Sequence, residues 1–190
     1  MLVLASSSPR RKEILTAAGL SFVARPPHIP EERLAKETPE DYVHRLAEQK
    51  ADAVPAGPDE VILAADTVVV LDQHVLEKPR DGADARRMLE LLSGREHQVI
   101  TGICVRNSTA RITDRAVTKV RFVRLTDAEM DRYVATGEPM DKAGAYGIQG
   151  MASRWAIGVD GCYFNVVGLP VGRVYRMLRQ AQTATGISLL

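Results

Sequence analysis

The sequence has few cysteines, almost no net charge and no long apolar run, and each shortage excludes a class of protein. Cysteine occurs twice in 190 residues, at Cys104 and Cys162. Two isolated cysteines make neither a disulfide framework nor a Cys-x-x-Cys pair, and this usage favours a reducing compartment. A secreted domain stabilised by disulfides is therefore excluded.

Charge and hydropathy set further limits. Lys and Arg number 25 and Asp and Glu number 24, so the net charge is +1 and gives no reason to expect a nucleic acid or a membrane as partner. No apolar stretch approaches the roughly 20 residues that span a bilayer. The first apolar run, residues 2–5, is too short for a signal peptide and is broken by Ser-Pro-Arg-Arg. We expect a cytoplasmic protein.

The start of the chain has the character of an anion site. Residues 2–5 predict a buried strand, Ser8 suits a helix N-cap, Pro9 suits the first helical position, and Gly19 ends the helix. A helix N-terminus is already partially positive, yet its first turn carries three cations, Arg10, Arg11 and Lys12. Together with the hydroxyls of Ser6 and Ser8 and the free backbone N–H groups, they indicate a phosphate site. The alternative is that the cations pair with carboxylates elsewhere or face water.

Helices and strands alternate along the chain, which predicts an α/β fold. No repeat, low-complexity tract or linker divides the sequence, so we expect one domain over residues 1–190. A turn is expected at Asp72-Gln73. The other predicted strands cover 61–65, 68–71, 97–106 and 117–125 and lie near 155–159 and 163–167. The other predicted helices begin at Thr38, cover 84–92, run from Thr126 to a stop at Gly137, and begin at Pro170.

Two charged residues occupy positions where an apolar residue is expected. Asp66 interrupts the apolar run 61–70, and a buried carboxylate needs a partner, a metal or a raised pKa. Lys50 falls on the apolar stripe of the helix that begins at Thr38. The alternatives are that Asp66 caps a turn between two strands and that Lys50 extends along the surface to reach water.

A loop at residues 138–150 carries glycines at intervals of three, Gly144, Gly147 and Gly150, which would let the backbone approach a ligand. Gln149 offers both a hydrogen-bond donor and an acceptor. A flexible surface loop is the alternative, but the apolar residues within it favour a packed one.

These segments resemble the Maf family of nucleoside triphosphate pyrophosphatases over about residues 1 to 180. The motifs that carry the resemblance are Leu4-Ala5-Ser6-Ser7-Ser8-Pro9-Arg10-Arg11, Leu46-Ala47 with Lys50-Ala51, Ala65-Asp66-Thr67-Val68-Val69, Lys78-Pro79, Leu92-Ser93-Gly94-Arg95 with His97-Gln98-Val99, Gly137-Glu138-Pro139 with Asp141-Lys142-Ala143-Gly144, Tyr146-Gly147-Ile148-Gln149-Gly150, and Asn165-Val166-Val167-Gly168-Leu169-Pro170.

The resemblance implies a long mixed sheet flanked by helices, in two lobes with a cleft, similar to inosine-triphosphate pyrophosphatases. It also implies cleavage of a nucleoside triphosphate between its α and β phosphates with a divalent cation, Mg²⁺, Mn²⁺ or Co²⁺. The implied catalytic base is Asp66, the metal-site acids are Asp66 and Glu31, with Glu32 left open, and the catalytic or phosphate-binding cations are Arg10, Arg11, Lys50 and Lys78. Homodimers are common in the family, and no interface can be identified from the sequence.

The Tyr-x-Ile-Gln-Gly ending resembles the subfamily that acts on thymidine and uridine triphosphates. Uracil and thymine present an O4 acceptor beside an N3–H donor, and the Gln149 amide complements both. Thr67 and Arg10 are further specificity positions in the family, and Glu77 departs from a common glycine. The alternatives are a pyrophosphatase for 7-methylguanosine triphosphate, a nucleotide-binding regulator of septum formation, and a nucleotidyltransferase.

Overall fold

The computed structural model describes residues 1–186 and Leu189. The predicted domain, 1–190, also includes residues 187, 188 and 190, which lie outside the described residues. The strands are β1 (Leu2–Leu4), β2 (Phe22–Ala24), β3 (Val61–Leu71), β4 (His74–Leu76), β5 (Glu96–Arg106), β6 (Arg111–Phe122) and β7 (Ala156–Asp160). The α-helices are α1 (Pro9–Ala17), α2 (Pro39–Asp52), α3 (Gly82–Leu92), α4 (Asp127–Ala135), α5 (Tyr163–Val167) and α6 (Val171–Thr185). Short 3₁₀ helices lie at Glu138–Asp141, Ala143–Ala145 and Met151–Trp155.

Seven strands of the described chain form one mixed sheet. Its order is β2-β1-β3-β5-β6-β7, with β4 paired to β3. β1 is parallel to both β2 and β3, whereas β4 is antiparallel to β3 and β7 is antiparallel to β6. This architecture confirms the predicted α/β class with a mixed central sheet and flanking helices.

The chain divides into two compact units. Unit 1 comprises Met1–Asp66, Thr101–Ala116 and Gly168–Leu190. Its apolar core includes Val3, Ala5, Ala47, Ala51, Val54, Ile62, Ala64 and Cys104. Helix α2 lies very close to β5, because a Cβ atom on Gly102 would be 2.3 Å from the carbonyl oxygen of Val43. Only glycine permits this approach.

Unit 2 comprises Thr67–Ile100 and Val117–Val167. Its core holds a cluster of rings in edge-to-face contact, with centroids 4.8 to 6.3 Å apart. Such geometry is favourable beyond the area that the rings bury. The ring cluster consists of His97, Phe122, Tyr133, Tyr146 and Trp155.

Local signals set the helix boundaries well. The Ser8 side chain caps α1, with Pro9 in the first turn, and Gly19 has a φ of +73° just beyond the helix. Thr126 and Glu129 form the predicted capping box of α4. The turn between β3 and β4 is also confirmed, with positive φ values at Asp72 and Gln73.

The predicted boundaries within β3 and at both ends of β6 are wrong. β3 is continuous through Asp66 and Thr67, so the alternative in which Asp66 caps a turn between two strands is excluded. β6 begins at Arg111 rather than 117, because the Asn107 side chain accepts from the backbone N–H of Thr109 and Ala110 and closes the preceding turn early. The strand ends at Phe122 rather than 125.

Residues 163–167 form helix α5 and not the predicted strand. The buried Asn165 amide donates to the Val99 carbonyl at 2.9 Å and to the Thr118 hydroxyl at 3.0 Å. The same hydroxyl accepts from the Cys162 backbone N–H at 3.0 Å. These contacts with β5 and β6 override the strand preference of Tyr, Phe and Val.

Candidate active site

The start of α1 organises the serines and arginines of the first motif. Ser8 Oγ accepts from the Arg11 backbone N–H at 3.5 Å and caps the helix. Ser6 Oγ is buried and accepts from the Ser8 backbone N–H at 3.2 Å and from the Arg11 guanidinium at 3.3 Å. No acidic residue lies in the first turn of this described helix to offset Arg10 and Arg11. The positive end of α1 is therefore reinforced by cations.

Arg11 is buried although it is charged. Its Nε donates to the Gly168 carbonyl at 2.9 Å, where Gly168 has a φ of +127°. Burial lowers the pKa of the Arg11 guanidinium, and the negative charges of Asp66 and Glu31 oppose that effect. Two motifs far apart in the sequence thus meet at Arg11, one ending at Arg11 itself and one containing Gly168.

Lys50 joins the two carboxylates that the family resemblance implies. Its Nζ lies 2.6 Å from Asp66 Oδ1 and 2.8 Å from Glu31 Oε1. Lys50 and Asp66 are buried, so the alternative in which Lys50 reaches out to water is wrong. The buried charges of Lys50 and Asp66 would each be costly alone and compensate each other, and the exposed Glu31 adds a second carboxylate to the same ammonium.

The segment before α2 presents Glu31, and not Glu32, to this cluster. The Tyr42 hydroxyl donates to the Glu31 carbonyl at 2.8 Å. Arg45 donates to the Glu32 carbonyl at 3.0 Å and to the Glu37 carboxylate at 2.6 and 2.7 Å. The hydrogen bond from Arg45 lowers the pKa of the Glu37 carboxyl. Two side chains of α2 therefore hold the backbone that carries Glu31.

The remaining predicted site residues belong to unit 2. Thr67 follows Asp66 in β3 and is half-buried, and Lys78 is exposed between β4 and α3. Gln149 is exposed at the centre of a turn over 148–150. The backbone N–H of Gly144 donates to the Glu77 carbonyl at 3.1 Å, which joins the glycine-containing loop to the segment before Lys78.

The glycines of that loop face protein atoms and not open space. A Cβ atom would lie 2.8 Å from a Val69 methyl at Gly144, 2.7 Å from Lys142 Cε at Gly147, and 1.9 Å from Glu138 Oε1 at Gly150. Gly144 is needed for packing within unit 2, because its neighbour is the short, branched side chain of Val69, whereas the neighbours of Gly147 and Gly150 are the ends of the long side chains of Lys142 and Glu138. That these glycines serve close approach to a ligand stays a prediction. The loop is packed, as its apolar residues predicted.

Sequence reasoning missed the side chains that hold the site backbone in place. Tyr42 and Arg45 hold the Glu31 segment, and Tyr133 and Glu138 contact the Gln149 loop. The capping boxes and apolar stripes of α2 and α4 gave no sign of these roles, because the partners are backbone groups of other segments.

Within the described residues, no group of three or more His, Cys, Asp and Glu side chains is arranged to hold a metal ion. Among the helices of the described chain, none combines the length and the apolar character that crossing a bilayer requires.

Comparison with known proteins identifies close relatives along almost the whole chain. A family model described as Maf-like protein matches residues 1–181. A protein from Koribacter versatilis named dTTP/UTP pyrophosphatase is 54% identical over 181 residues, covering 95% of this chain and 94% of the relative. Proteins of the same name from Salmonella typhimurium and Bacillus pumilus are 49% and 47% identical, each covering 93% of this chain and 91% and 94% of their own lengths.

The fold is similar to that of a solved structure. A HAM1 protein from Coxiella burnetii aligns with a TM-score of 0.53, covering 94% of this chain and 98% of that chain. The two sequences are 16% identical, so the likeness concerns the fold alone.

Proposed function

This chain belongs to the family of Maf-like proteins, and from that membership we propose that it hydrolyses thymidine and uridine triphosphates to the monophosphate and pyrophosphate. The names of its relatives support this substrate class and place the reaction among acid anhydride hydrolases. The observation that carries the proposal is the buried ion pair of Lys50 with Asp66 in unit 1, which the exposed Glu31 carboxylate joins as a second partner of the same ammonium. A purely structural core gains little from such a cluster, because replacing buried ion pairs with apolar residues is often neutral or stabilising.

Cations supply the phosphate contacts in this reaction. Arg10 and Arg11 stand at the N-terminal turn of α1, where backbone N–H groups also favour an anion. Arg11 is already fixed by Ser6 and Gly168, so little reorganisation is needed when charge grows on the departing pyrophosphate. Lys50 and the exposed Lys78 add positive charge.

A divalent cation fits the donor set of unit 1. Mg²⁺ prefers oxygen ligands and is commonly held by one or two carboxylates together with substrate phosphates and water. Asp66 and Glu31 provide two carboxylates within reach of one ammonium, and they would hold the ion. When bound, Mg²⁺, Mn²⁺ or Co²⁺ would neutralise phosphate oxygens and favour departure of pyrophosphate.

Asp66 acts as the general base. Lys50 donates to its Oδ1 and so fixes the orientation of the carboxylate. The carboxylate takes the proton of the attacking water. Gln149 and Thr67 belong to unit 2, where Gln149 reads the pyrimidine edge and Thr67 contributes to specificity. Arg10, in unit 1, is a further specificity residue.

Location and assembly complete the proposal. Cys104 and Cys162 are both free thiols, which agrees with a reducing cytoplasm. A homodimer is the assembly that the family resemblance implies, and sedimentation of the purified chain tests it against a monomer.

Product analysis is the decisive experiment. The purified protein is incubated with uridine, thymidine, cytidine, guanosine and 7-methylguanosine triphosphates in Mg²⁺, Mn²⁺ or Co²⁺, and pyrophosphate and phosphate are measured separately. We expect pyrophosphate from the uridine and thymidine nucleotides without any acceptor, and no turnover in excess chelator. Release of single phosphate, full activity in chelator, or binding without turnover would contradict the proposal.

A further inference from the structure

The turn that carries Gln149 is held by a hydrogen bond on each side. On one side, the Gly147 backbone N–H donates to the Tyr133 hydroxyl at 3.1 Å. On the other, the Met151 backbone N–H donates to Glu138 Oε2 at 3.3 Å. The turn itself is closed by a bond from the Gly150 N–H to the Gly147 carbonyl at 3.0 Å. An exposed side chain thus stands on a fixed piece of backbone.

The two anchoring side chains are bonded to each other. The Tyr133 hydroxyl donates to Glu138 Oε1 at 2.9 Å and accepts from the Gly147 N–H. These two bonds use the one hydrogen-bond donor of the hydroxyl and one of its two acceptor positions. Tyr133 is fully buried on α4, with its ring 4.9 Å from that of Trp155. Burial raises the pKa of the Tyr133 hydroxyl, which therefore keeps the proton that this bond requires.

Glu138 is itself held in place. Lys142 Nζ donates to the Glu138 carbonyl at 2.6 Å and to Asp141 Oδ1 at 2.6 Å. The stem of Lys142 passes over Gly147, where a Cβ atom would lie 2.7 Å from Lys142 Cε. The Glu138 carboxylate therefore contacts the turn directly, and the Glu138 backbone is linked to the same turn through Lys142.

Gly150 is shaped to receive the Glu138 carboxylate. A Cβ atom on Gly150 would lie 1.9 Å from Glu138 Oε1 and 2.5 Å from its Cδ. The backbone of Gly150 has a φ of −97°, outside the left-handed region. The need for glycine here comes from the carboxylate and not from backbone strain.

We propose that Tyr133 and Glu138 are positioning residues that fix the Gln149 turn and thereby set selectivity for the pyrimidine base. This inference rests on the proposed function, because it assigns the control of Gln149 and not the reaction itself. An amide distinguishes a donor–acceptor edge only when its own backbone is held, since a mobile turn would spend binding energy on ordering. Neither residue touches the reacting phosphates in this scheme.

The main variant is Tyr133→Phe, which removes one hydroxyl and keeps the ring. We expect kcat/KM for uridine triphosphate to fall by roughly tenfold, as one or two lost hydrogen bonds imply. The kcat/KM for guanosine triphosphate should change by less than about twofold, because binding of the guanine base gains nothing from the ordered turn. The ratio of the two values therefore falls, and a general loss of stability would lower both alike.

Tyr146→Phe is the matched control. Tyr146 lies in the same loop and the same ring cluster, and its buried hydroxyl bonds to His97 Nε2 at 2.8 Å and not to the turn. The Tyr146→Phe variant should leave the selectivity ratio, kcat/KM for uridine triphosphate divided by kcat/KM for guanosine triphosphate, unchanged. Equal changes in the two variants would overturn the inference. If Tyr133→Phe fails to fold, Glu138→Gln provides the same comparison with side-chain size preserved.

A double-mutant cycle tests the fit of Gly150 against Glu138. Gly150→Ala alone should lower the selectivity ratio, because its Cβ collides with the carboxylate. In a Glu138→Ala background the same change should add almost nothing, since the colliding group is gone. Additive effects would show that Gly150 acts for another reason and would contradict the proposed contact.

Backbone hydrogen exchange separates this inference from the proposed function. Exchange at residues 147–151 should accelerate in Tyr133→Phe and not in Tyr146→Phe. If the wild-type protein releases no pyrophosphate from uridine triphosphate, the proposed function fails while exchange still tests the turn. Unchanged exchange, or faster exchange with an unchanged selectivity ratio in an active enzyme, overturns the positioning role.

Discussion

Lys50 and Asp66 are each only 6% exposed, although both side chains are ionisable. Removing one partner of a buried ion pair costs about 3–5 kcal/mol, because the other charge is left uncompensated. The pair is thus costly to break and gives little stability as a whole. The burial of both residues is better explained by the reaction proposed for them than by a gain in folding stability.

Asp66→Asn tests the general base. We expect the variant to fold, because the amide oxygen can still accept from Lys50, while kcat falls by at least roughly 100-fold. Steady-state pyrophosphate release and thermal unfolding measure the two effects. Asp114→Asn is the control, since Asp114 also binds a cation, Arg173 at 3.0 Å, but has no place in the reaction. Near-normal turnover in folded Asp66→Asn would refute the assignment.

Gln149→Glu tests the base reader. The carboxylate would face the O4 acceptor of uracil or thymine with no proton to donate, so we expect a loss of about 1–3 kcal/mol in kcat/KM. Activity on 7-methylguanosine triphosphate should rise, because adjacent N–H donors suit a carboxylate. The measurement is kcat/KM for both pyrimidine nucleotides and the guanine analogue. If the ratios of kcat/KM between the pyrimidine nucleotides and the guanine analogue are unchanged, Gln149 does not select the base, and Thr67 or Arg10 becomes the candidate for that role.

Helix α2 is the element that assembles the acidic cluster. It carries Lys50, which contacts both carboxylates, and it carries Tyr42 and Arg45, which hold the segment of Glu31. Gly102 lets the helix lie close against β5. One helix thus fixes a strand residue, Asp66, and a residue without regular secondary structure, Glu31, around one ammonium.

Arg45→Met tests this role of α2. Losing the bonds to Glu37 and the Glu32 carbonyl should loosen the Glu31 segment, so the Mg²⁺ concentration for half-maximal activity rises by roughly threefold to tenfold, the factor for about 1 kcal/mol. The rate at saturating Mg²⁺ should change little. Arg25→Met is the matched control, because Arg25 makes an equally close pair with Glu60, both bonds 2.6 Å. Equal metal requirements in the two variants would contradict the role.

The folding of the whole chain should depend on pH through one buried histidine. His97 is buried in unit 2, with Nε2 2.8 Å from the Tyr146 hydroxyl and its ring against Phe122. Burial lowers the pKa of His97 to about 4. An unfolded histidine titrates near 6.5, so between these values the unfolded state binds the extra proton.

The free energy of unfolding should therefore fall as pH decreases from about 6.5 toward 4. At pH 7 the stability that depends on a neutral His97 is fully present. Urea unfolding at pH 7 and 4.5 should show a wild-type decrease in unfolding free energy that exceeds the decrease in His97→Gln by about 2–3 kcal/mol. His44→Gln, at an exposed histidine, should behave as the wild type. A pH dependence that survives in His97→Gln would assign the effect to other groups.

Local patterns and spaced motifs were sufficient to predict the family, the fold class and the helix ends that neighbouring residues specify. Caps and stops at Ser8, Gly19, Thr126 and Gly137 lie within a few residues of the helix ends they define, so the local pattern is sufficient. The spaced motifs identified the family, and the match over residues 1–181 agrees.

Features whose partners lie far along the chain could not be predicted, because no local pattern shows those contacts. Residues 163–167 became a helix because Asn165 is held by Val99 and Thr118, 66 and 47 residues away in sequence. Lys50 stayed buried because Asp66 and Glu31 lie within 2.8 Å of its ammonium. Local propensity is worth about 1 kcal/mol per residue at most, and buried polar groups left without partners cost more, so the distant contacts prevailed.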